Sequence, residues 1–372
     1  MTLRIRSVEA VPLRVRFKHR FSFGVTDREA SQNVVIKVTT EEGLVGYGEA
    51  CPVSAFTAET QESVVQAIEK VVSPLLVGAD AMARTPLVRR LEPRLPHAPF
   101  TITAVDLALL DLADKATGLS ASVLLGGRFR EQVEVHGSVG WAAPEEMVET
   151  ANAQLEQGFA TLKLYAGRGE LPDDLERLVA VRRAIPAHVR LMVDVNGMWT
   201  VGECLRALPV LREIGVVLLE QPLPASNTAG QAEVTAASSI DTAADESVFT
   251  SADVAAIARG RTARVVNLGI SKLGGLLRAS ECSAVARAGG LGVMVGSVLE
   301  LGIANAAGLH FAAASPELAY PSYLIGPLKY ERDVVTQPLE VNAGHVAVPT
   351  GPGLGVEVDE ELLAAMDARR GP

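Results

Sequence analysis

Residues 190–222 read RLMVDVNGMWTVGECLRALPVLREIGVVLLEQP, and their reading decides the fold. RLMVDV (190–195) is a short apolar run of strand type, and VVLLEQP (216–222) is a second. Between them Thr200 and Glu203 form a capping box, and the apolar spacing that follows is helical. Strand, capped helix and strand make a crossover unit, which joins parallel strands.

The same grammar extends in both directions. VEVHGSV (133–139) and TLKLY (161–165) precede it, and DTAADE (241–246), RVVNLG (264–269) and LGVMVGS (291–297) follow. Thr250 and Asp253 predict another capping box, and Gly158 and Gly260 stand where helix C-terminal caps belong. The step is nearly constant: Asp194 to Glu220 is 26 residues, Glu220 to Asp245 is 25, and Asp245 to Lys272 is 27. Seven or eight such units close most readily into a (β/α)8-type barrel. An open doubly wound sheet is the alternative, but no GxGxxG follows an early strand.

The first part of the chain reads differently. Segments 2–17 and 33–39 alternate as strands, EEGL (41–44) supplies a turn, and VGYGEA continues as a third strand. Helical spacing runs from Thr60 to about Val77 and from Pro99 to Ala116. Polar stretches at 20–31 and 50–60 are expected to be loops. From about Gly326 the chain carries proline, glycine and short strands, and is expected to pack back on the N-terminal unit. The expected divisions are 1–128, an α+β capping unit; 129–328, the barrel; and 329–372, the returning segment.

Bulk properties exclude several classes of function. The 372 residues are 48% hydrophobic and 21% charged, so the chain is globular rather than disordered. A net charge of −10 argues against binding a phosphate backbone, so no nucleic-acid partner is expected. No uninterrupted apolar run is long enough for a membrane span, and the N-terminus lacks the apolar core of a signal peptide. Cys51, Cys204 and Cys282 form no metal-ligand cluster and read as packing residues of a reducing, cytoplasmic compartment.

The candidate site comes from the strand ends, where active sites of such barrels form. Lys163 and Tyr165 share one face of TLKLY, with Leu162 and Leu164 on the other. Asp194 and then Asn196, Glu220, Asp245 and then Glu246, Lys272 and Glu300 follow at later strand ends. Three carboxylates brought together at equivalent positions raise one another's pKa unless a cation compensates. Mg²⁺, which takes oxygen ligands, answers that need, with Mn²⁺ as a substitute. A lysine opposite a cation-held carboxylate can take a proton from the adjacent carbon.

The strings VDVNGMWT, LLEQPL, AADESVFT, SKLGG and MVGSVLELGIANAAGLHFAAA together resemble the enolase superfamily, in its muconate lactonizing enzyme branch. That superfamily is itself a standard example of a lysine or histidine base working with Mg²⁺. The resemblance covers nearly the whole chain. It implies a (β/α)7β modified TIM barrel under an α+β capping domain, with the 20–31 and 50–60 segments closing over substrate. It implies Asp194, Glu220 and Asp245 as Mg²⁺ ligands, Lys272 as an acid/base lysine, and a homo-oligomer. No histidine of the mandelate racemase type follows strand seven.

Two departures bear on the reaction. The branch usually carries Lys-x-Lys at the end of strand two, the second lysine being an acid/base group; here the pair is Lys163 and Tyr165. Lys163 is then expected to hold the substrate carboxylate. Tyr165 is either a hydrogen-bond donor or wall, with Lys272 handling protons alone, or an acid/base phenol. Dipeptide epimerases of the branch carry Asp-x-Asp before a Gly-Pro, where this chain has Tyr323 and Ile325. Both departures point to a lyase or cycloisomerase acting on a small carboxylate: a muconate, or a hydroxylated amino acid such as 3-hydroxyproline. A racemase or epimerase using Lys272 and Tyr165 on opposite faces is the alternative, and a non-catalytic binding relative is the second. Candidate substrate-binding residues are Asn196, Glu246, Glu300, Phe23, Phe56 and Tyr323. His136 is weighed as a group on strand one that points into the barrel.

Overall fold

The computed structural model describes residues 2–23, 26–54 and 56–370. Three antiparallel strands, β1 (Ile5–Phe23), β2 (Thr26–Thr40) and β3 (Val45–Ala50), form the first sheet in that order. Its third strand reads Gly-Tyr-Gly for a packing reason. A Cβ on Gly46 would lie 2.3 Å from the Ala108 carbonyl oxygen, and one on Gly48 1.8 Å from that of Ala104. Only glycine lets the helix Pro99–Thr117 come this close, and that helix is buried along most of its length. It lies against the sheet on one side and meets the barrel on the other.

Of the stretch 20–31, the described residues 20–23 and 26–31 are strand rather than loop, the ends of β1 and β2, with Phe21 paired to Arg28 and Ser22 to Asp27. The polarity of the stretch suggests a loop, but strands at the edge of a sheet need paired backbone, not apolar side chains. Beyond the sheet Asp27 meets Arg168, which follows the second barrel strand, at 3.2 Å. Residues 51–54 and 56–60 carry no strand or helix.

The stretch 133–139 is also not one strand. β4 (Gln132–Glu134) pairs antiparallel with β12 (His345–Ala347), whereas β5 (Gly137–Val139) pairs parallel with β6 (Thr161–Tyr165). The chain must turn at Val135–His136 because a straight strand cannot serve both sheets. Five further parallel strands follow: β7 (Arg190–Asp194), β8 (Val216–Glu220), β9 (Asp241–Ala244), β10 (Val265–Asn267) and β11 (Gly292–Met294). Each pairs with the next in chain order.

An eighth extended segment, 319–323, completes the ring. On one side Ala319 N donates to Val293 O and Tyr323 N to Val295 O, each at 2.8 Å. On the other Ser322 N donates to Glu134 O at 2.9 Å, and His136 N to Ser322 O at 3.2 Å. The barrel floor is a small apolar cluster of Met192, Leu218, Ala243, Val265 and Met294. Leu162 and Leu164 face outward into the large core shared with the helices.

Both expected capping boxes, at Thr200 and Thr250, are formed. Gly158 takes the left-handed conformation after its helix (φ 90°). At the other position it is Arg261 (φ 51°), and Gly260 is the last helical residue. The C-terminal residues lie against the first sheet: Lys37 pairs with Glu360 at 2.6 Å, and Leu13 bridges to Asp367. The three cysteines are free and buried, and no described helix is long and apolar enough to cross a membrane.

Candidate active site

Strand register builds the site. Tyr165, Asp194 and Glu220 are direct partners across β6, β7 and β8, so their side chains leave the sheet on the same face at the same height. Ala243 is the partner of Glu220, and Asp245 lies two residues beyond it, one layer higher on the same face. Lys163 is level with Met192, one layer lower. Its four-carbon stem brings Nζ up to 2.8 Å from Asp194 Oδ2 and 3.2 Å from Glu220 Oε2.

Lys272 enters from the far wall, in the short helix Ile270–Leu273 after β10. Its Nζ is 2.5 Å from Asp245 Oδ1 and also donates to the Asp245 carbonyl. The helix of the first domain fixes this turn. Thr103 Oγ1 donates to Ser271 O at 3.0 Å, and Asp106 Oδ2 accepts from Leu277 N at 3.2 Å. The SKLGG motif needs its glycines here: Gly275 has φ 96°, and a Cβ on it would lie 2.4 Å from Asp106 Oδ2.

A cavity of about 530 Å³, solvent mouth included, lies between these walls. Lys163, Tyr165, Asp194, Asn196, Asp245 and Lys272 line it, with Phe56 and Tyr323 at its sides. Glu246 is turned away, its Oε1 accepting from Asn196 Nδ2 at 3.0 Å. Glu300 does not line the cavity. It accepts from Ser271 Oγ at 2.6 Å and Val298 N at 3.2 Å, and so braces the turn that carries Lys272. Phe23 ends β1, but its side chain lies outside the described residues. His136 is buried behind Tyr323, the two rings stacked 4.9 Å apart.

Two residues absent from the sequence reading complete the arrangement. Asn267 donates to Glu220 Oε1 at 2.7 Å. Gln221 accepts from Asp245 N at 2.9 Å and donates to Leu223 O at 2.8 Å, which holds the exit of β9. The signal for Asn267 was present: it lies two residues beyond inward-facing Val265, so it shares that face.

Negative charge is crowded here. Burial pushes the Glu220 carboxyl up to about 7, with Asp194 and Asp245 adding to the rise and Lys163 opposing it. Burial, then Asp245, raises Asp194 as well, against Lys163. Burial alone would lower Lys163, but Asp194 and Glu220 hold its ammonium well above the usual lysine range. As the side chains stand, no three His, Cys, Asp or Glu among the described residues form a group able to hold one metal ion. Each of the three carboxylates is instead engaged by a lysine. The donor set nevertheless fits a hard divalent cation: carboxylate oxygens from adjacent strands, two of them destabilised as anions by burial.

Comparison with known proteins agrees with this geometry. Residues 6–126 match the mandelate racemase / muconate lactonizing enzyme N-terminal domain, and residues 146–362 match the enolase C-terminal domain-like family. The chain belongs to the enolase superfamily, in its muconate lactonizing enzyme branch. Muconate cycloisomerase 1 of Rhodococcus opacus is 33% identical over 364 residues, 97% of this chain and 98% of that one. L-Ala-D/L-Glu epimerase of Bacillus subtilis (strain 168) is 31% identical over 349 residues, 93% of this chain and 94% of that one. The crystal structure of muconate lactonizing enzyme from Pseudomonas fluorescens, complexed with muconolactone, superposes with a TM-score of 0.95 at 31% identity, covering 98% of this chain and 100% of that one. Relatives in this branch of the superfamily thus include both a cycloisomerase and an epimerase.

Proposed function

We propose that this protein moves a proton at the carbon α to a carboxylate, as a Mg²⁺-dependent lyase or cycloisomerase working on one face of a small carboxylate. One observation carries the reading. Counted round the eight-membered ring, β6 and β10 are four strands apart, so Tyr165 and Lys272 approach the cavity from opposite sides. Only one of the two is an amine. Burial holds the Tyr165 phenol well above its ordinary pKa near 10, with Lys163 opposing, so it suits a hydrogen-bond donor rather than a base.

The roles follow from position. Asp194, Glu220 and Asp245 would hold the cation, which when bound supplies positive charge that stabilises the enediolate. Lys163 would orient the substrate carboxylate. In a dehydration Lys272 Nζ, as the amine, would take the α-proton and give it on the same face to the departing β-hydroxyl. In a cycloisomerisation, as the ammonium, it would give its proton to the α-carbon of the enediolate formed when the second carboxylate adds to the conjugated double bond. Phe56 and Phe249, whose rings lie 5.9 and 6.0 Å from Lys272 Nζ, would keep water from it. Muconate-type cycloisomerisation and dehydration of a hydroxylated amino acid both fit, and a homo-oligomer in the cytoplasm is the setting we infer.

The epimerase among the relatives favours a second reading, with Tyr165 and Lys272 as a two-base pair. Proton exchange followed by NMR in D₂O with Mg²⁺ separates the two, using muconates, hydroxyprolines and N-acyl amino acids. Loss of water or ring closure, abolished in Lys272→Ala, is the expected result. Deuterium incorporation with inversion supports the two-base reading. No reaction and no exchange with any carboxylate, with the metal bound, overturns both.

A further inference from the structure

Both tryptophans of the chain donate to one carboxylate, which the chemistry above leaves unused. Asp174 lies in the first turn of the helix Leu171–Ala184, which follows β6, and it is 1% exposed. Its Oδ1 accepts from Trp141 Nε1 at 2.9 Å. Its Oδ2 accepts from Gly167 N at 2.8 Å and from Trp199 Nε1 at 3.2 Å. Trp141 follows β5, Gly167 follows β6 and Trp199 follows β7, so one side chain gathers three consecutive strand exits at the barrel mouth. A buried carboxylate is costly unless its oxygens are hydrogen-bonded, and here the three donors are neutral N–H groups.

Two of those exits carry the site. Tyr165 stands just before Gly167, and Asp194, its register partner, stands just before the turn that ends in Trp199. The two exits are in close contact: Ala166 N donates to Asp194 O at 2.9 Å, and a Cβ on Gly167 would lie 2.7 Å from Met198 Cβ. The turn after Asp194 is left-handed at Asn196 (φ 47°) and at Gly197 (φ 75°). It aims Asn196 N at Asp194 Oδ1, 3.0 Å away. A left-handed asparagine persists where its surroundings hold it. On one side Gly197 N donates to Gln221 O at 2.7 Å and Trp199 N to Pro222 O at 3.2 Å; on the other, Asp174 holds the Trp199 indole. The β5 exit, where Trp141 lies, follows a strand that carries none of the three acids.

We propose that Asp174 is a positioning residue of the cation site. By clamping the exits of β6 and β7 it holds the Asn196 turn, and through that turn it fixes the Asp194 carboxylate beside Glu220. That these acids take a cation is the reading given above, and the inference rests on it. Asp174 does not line the cavity and touches neither cation nor substrate. Its Oδ2 carries the role, while Oδ1 ties in an exit without an acid.

The test titrates Mg²⁺ alone into wild type and variants by calorimetry, at a temperature where circular dichroism shows each to be folded. Asp174→Leu removes both acceptors and should weaken Mg²⁺ about ten-fold or more, the size of a lost group behind a metal ligand. Asp174→Asn removes the charge but keeps one acceptor oxygen, which can serve Gly167 N and Trp199 Nε1, and should recover most of the affinity. Trp141→Phe loses a bond of the same kind at the β5 exit and should leave Mg²⁺ affinity unchanged. If Asp174→Leu does not fold, Trp199→Phe takes its place, with an expected loss of a few-fold. A role in stability alone would lower urea midpoints and leave the Mg²⁺ affinity of the folded variants equal to that of wild type, which overturns the proposal. So does an asparagine variant as weak as the leucine variant, since charge and not hydrogen bonding would then act, or a phenylalanine variant at Trp141 as weak as either. Each of these results sinks this proposal alone. A wild type that binds no Mg²⁺ sinks the cation reading, and this inference with it.

Discussion

The molecule buries carboxylates in two regions and treats them differently. In the first domain and its contact with the barrel, backbone N–H groups help to hold three of them, Asp111 meeting Lys115 as well. Glu49 accepts from Leu301 N at 2.7 Å and Ala304 N at 3.0 Å, at the start of the helix Gly302–Ala314. Glu59 accepts from Phe100 N at 3.0 Å and Thr101 N at 2.9 Å, at the start of the helix Pro99–Thr117. Asp111 accepts from Tyr47 N and Leu354 N, each at 2.9 Å. In the barrel mouth, Asp194, Glu220 and Asp245 each meet a lysine tip, with Asn196 N as a further donor to Asp194 and Asn267 Nδ2 to Glu220. A backbone donor cannot leave without unfolding something, whereas a lysine tip swings away by rotating its stem. Fixed donors mark acids that join domains, and movable donors mark acids that change partners.

The largest expected effect tests the movable set. Lys272→Ala should lower turnover about 10³- to 10⁴-fold, the size of a lost general acid or base. It should lower the thermal midpoint only slightly, because the polar contacts of its ammonium are both with Asp245, at the carboxylate and at the carbonyl on the cavity wall. A large fall in the midpoint would place Lys272 with the structural set instead.

Asp106→Ala tests an acid between the domains that is held by both kinds of donor. Asp106 takes two hydrogen bonds from Arg84, at 2.8 and 2.9 Å, and one from Leu277 N. Removing one partner of a buried ion pair costs about 3 kcal/mol or more, read as a shift in urea midpoint. Activity should also fall, since Asp106 packs against the Gly275 turn behind Lys272.

Asp114 belongs to neither set, since both its carboxylate oxygens are buried without a partner among the described residues. Burial, then Asp111, raises it from 3.8 to about 7. A carboxyl whose folded pKa exceeds its unfolded pKa favours folding when protonated, so its cost is full above about pH 7 and fades toward pH 4. Asp114→Asn should therefore stabilise the protein by about 2 kcal/mol at pH 8 and by little near pH 4. A pH-independent gain in urea midpoint would remove the titration argument.

Cation binding sharpens the contrast further. Glu220, raised to about 7, must lose its proton to bind Mg²⁺. Affinity should weaken about ten-fold per pH unit below pH 7 and level off above it. A calorimetric Mg²⁺ affinity that stays flat between about pH 6 and pH 8 would exclude Glu220 as a ligand.

These regions were unequally legible in the sequence. The barrel strands were readable because each is a short apolar run at a constant step, and the candidate metal carboxylates could be located because they end those runs. Asn267 and Gln221 were missed, since neutral amides carry no charge signal and their importance lies in register. Glu300 was overread: a strand-end acid looks alike whether it faces the cavity or braces Ser271. The 20–31 hairpin was misread because polarity marks solvent exposure, whereas backbone pairing makes a strand.

The smallest expected effect divides the two chemical readings. Tyr165 occupies the wall opposite Lys272, near Lys163, whose Nζ lies 5.4 Å from its ring. If it is a donor or a wall, Tyr165→Phe removes one hydroxyl from a site whose base remains, and turnover should fall by less than about ten-fold, the worth of one neutral hydrogen bond. If it is the second base, the same change removes proton transfer on one face. Turnover should then fall at least about 100-fold, while deuterium exchange on the Lys272 face continues. The deciding quantity is the ratio of exchange to turnover in the phenylalanine variant. A ratio like that of the wild type leaves Lys272 as the one acid/base group, and a ratio far above it restores the two-base mechanism.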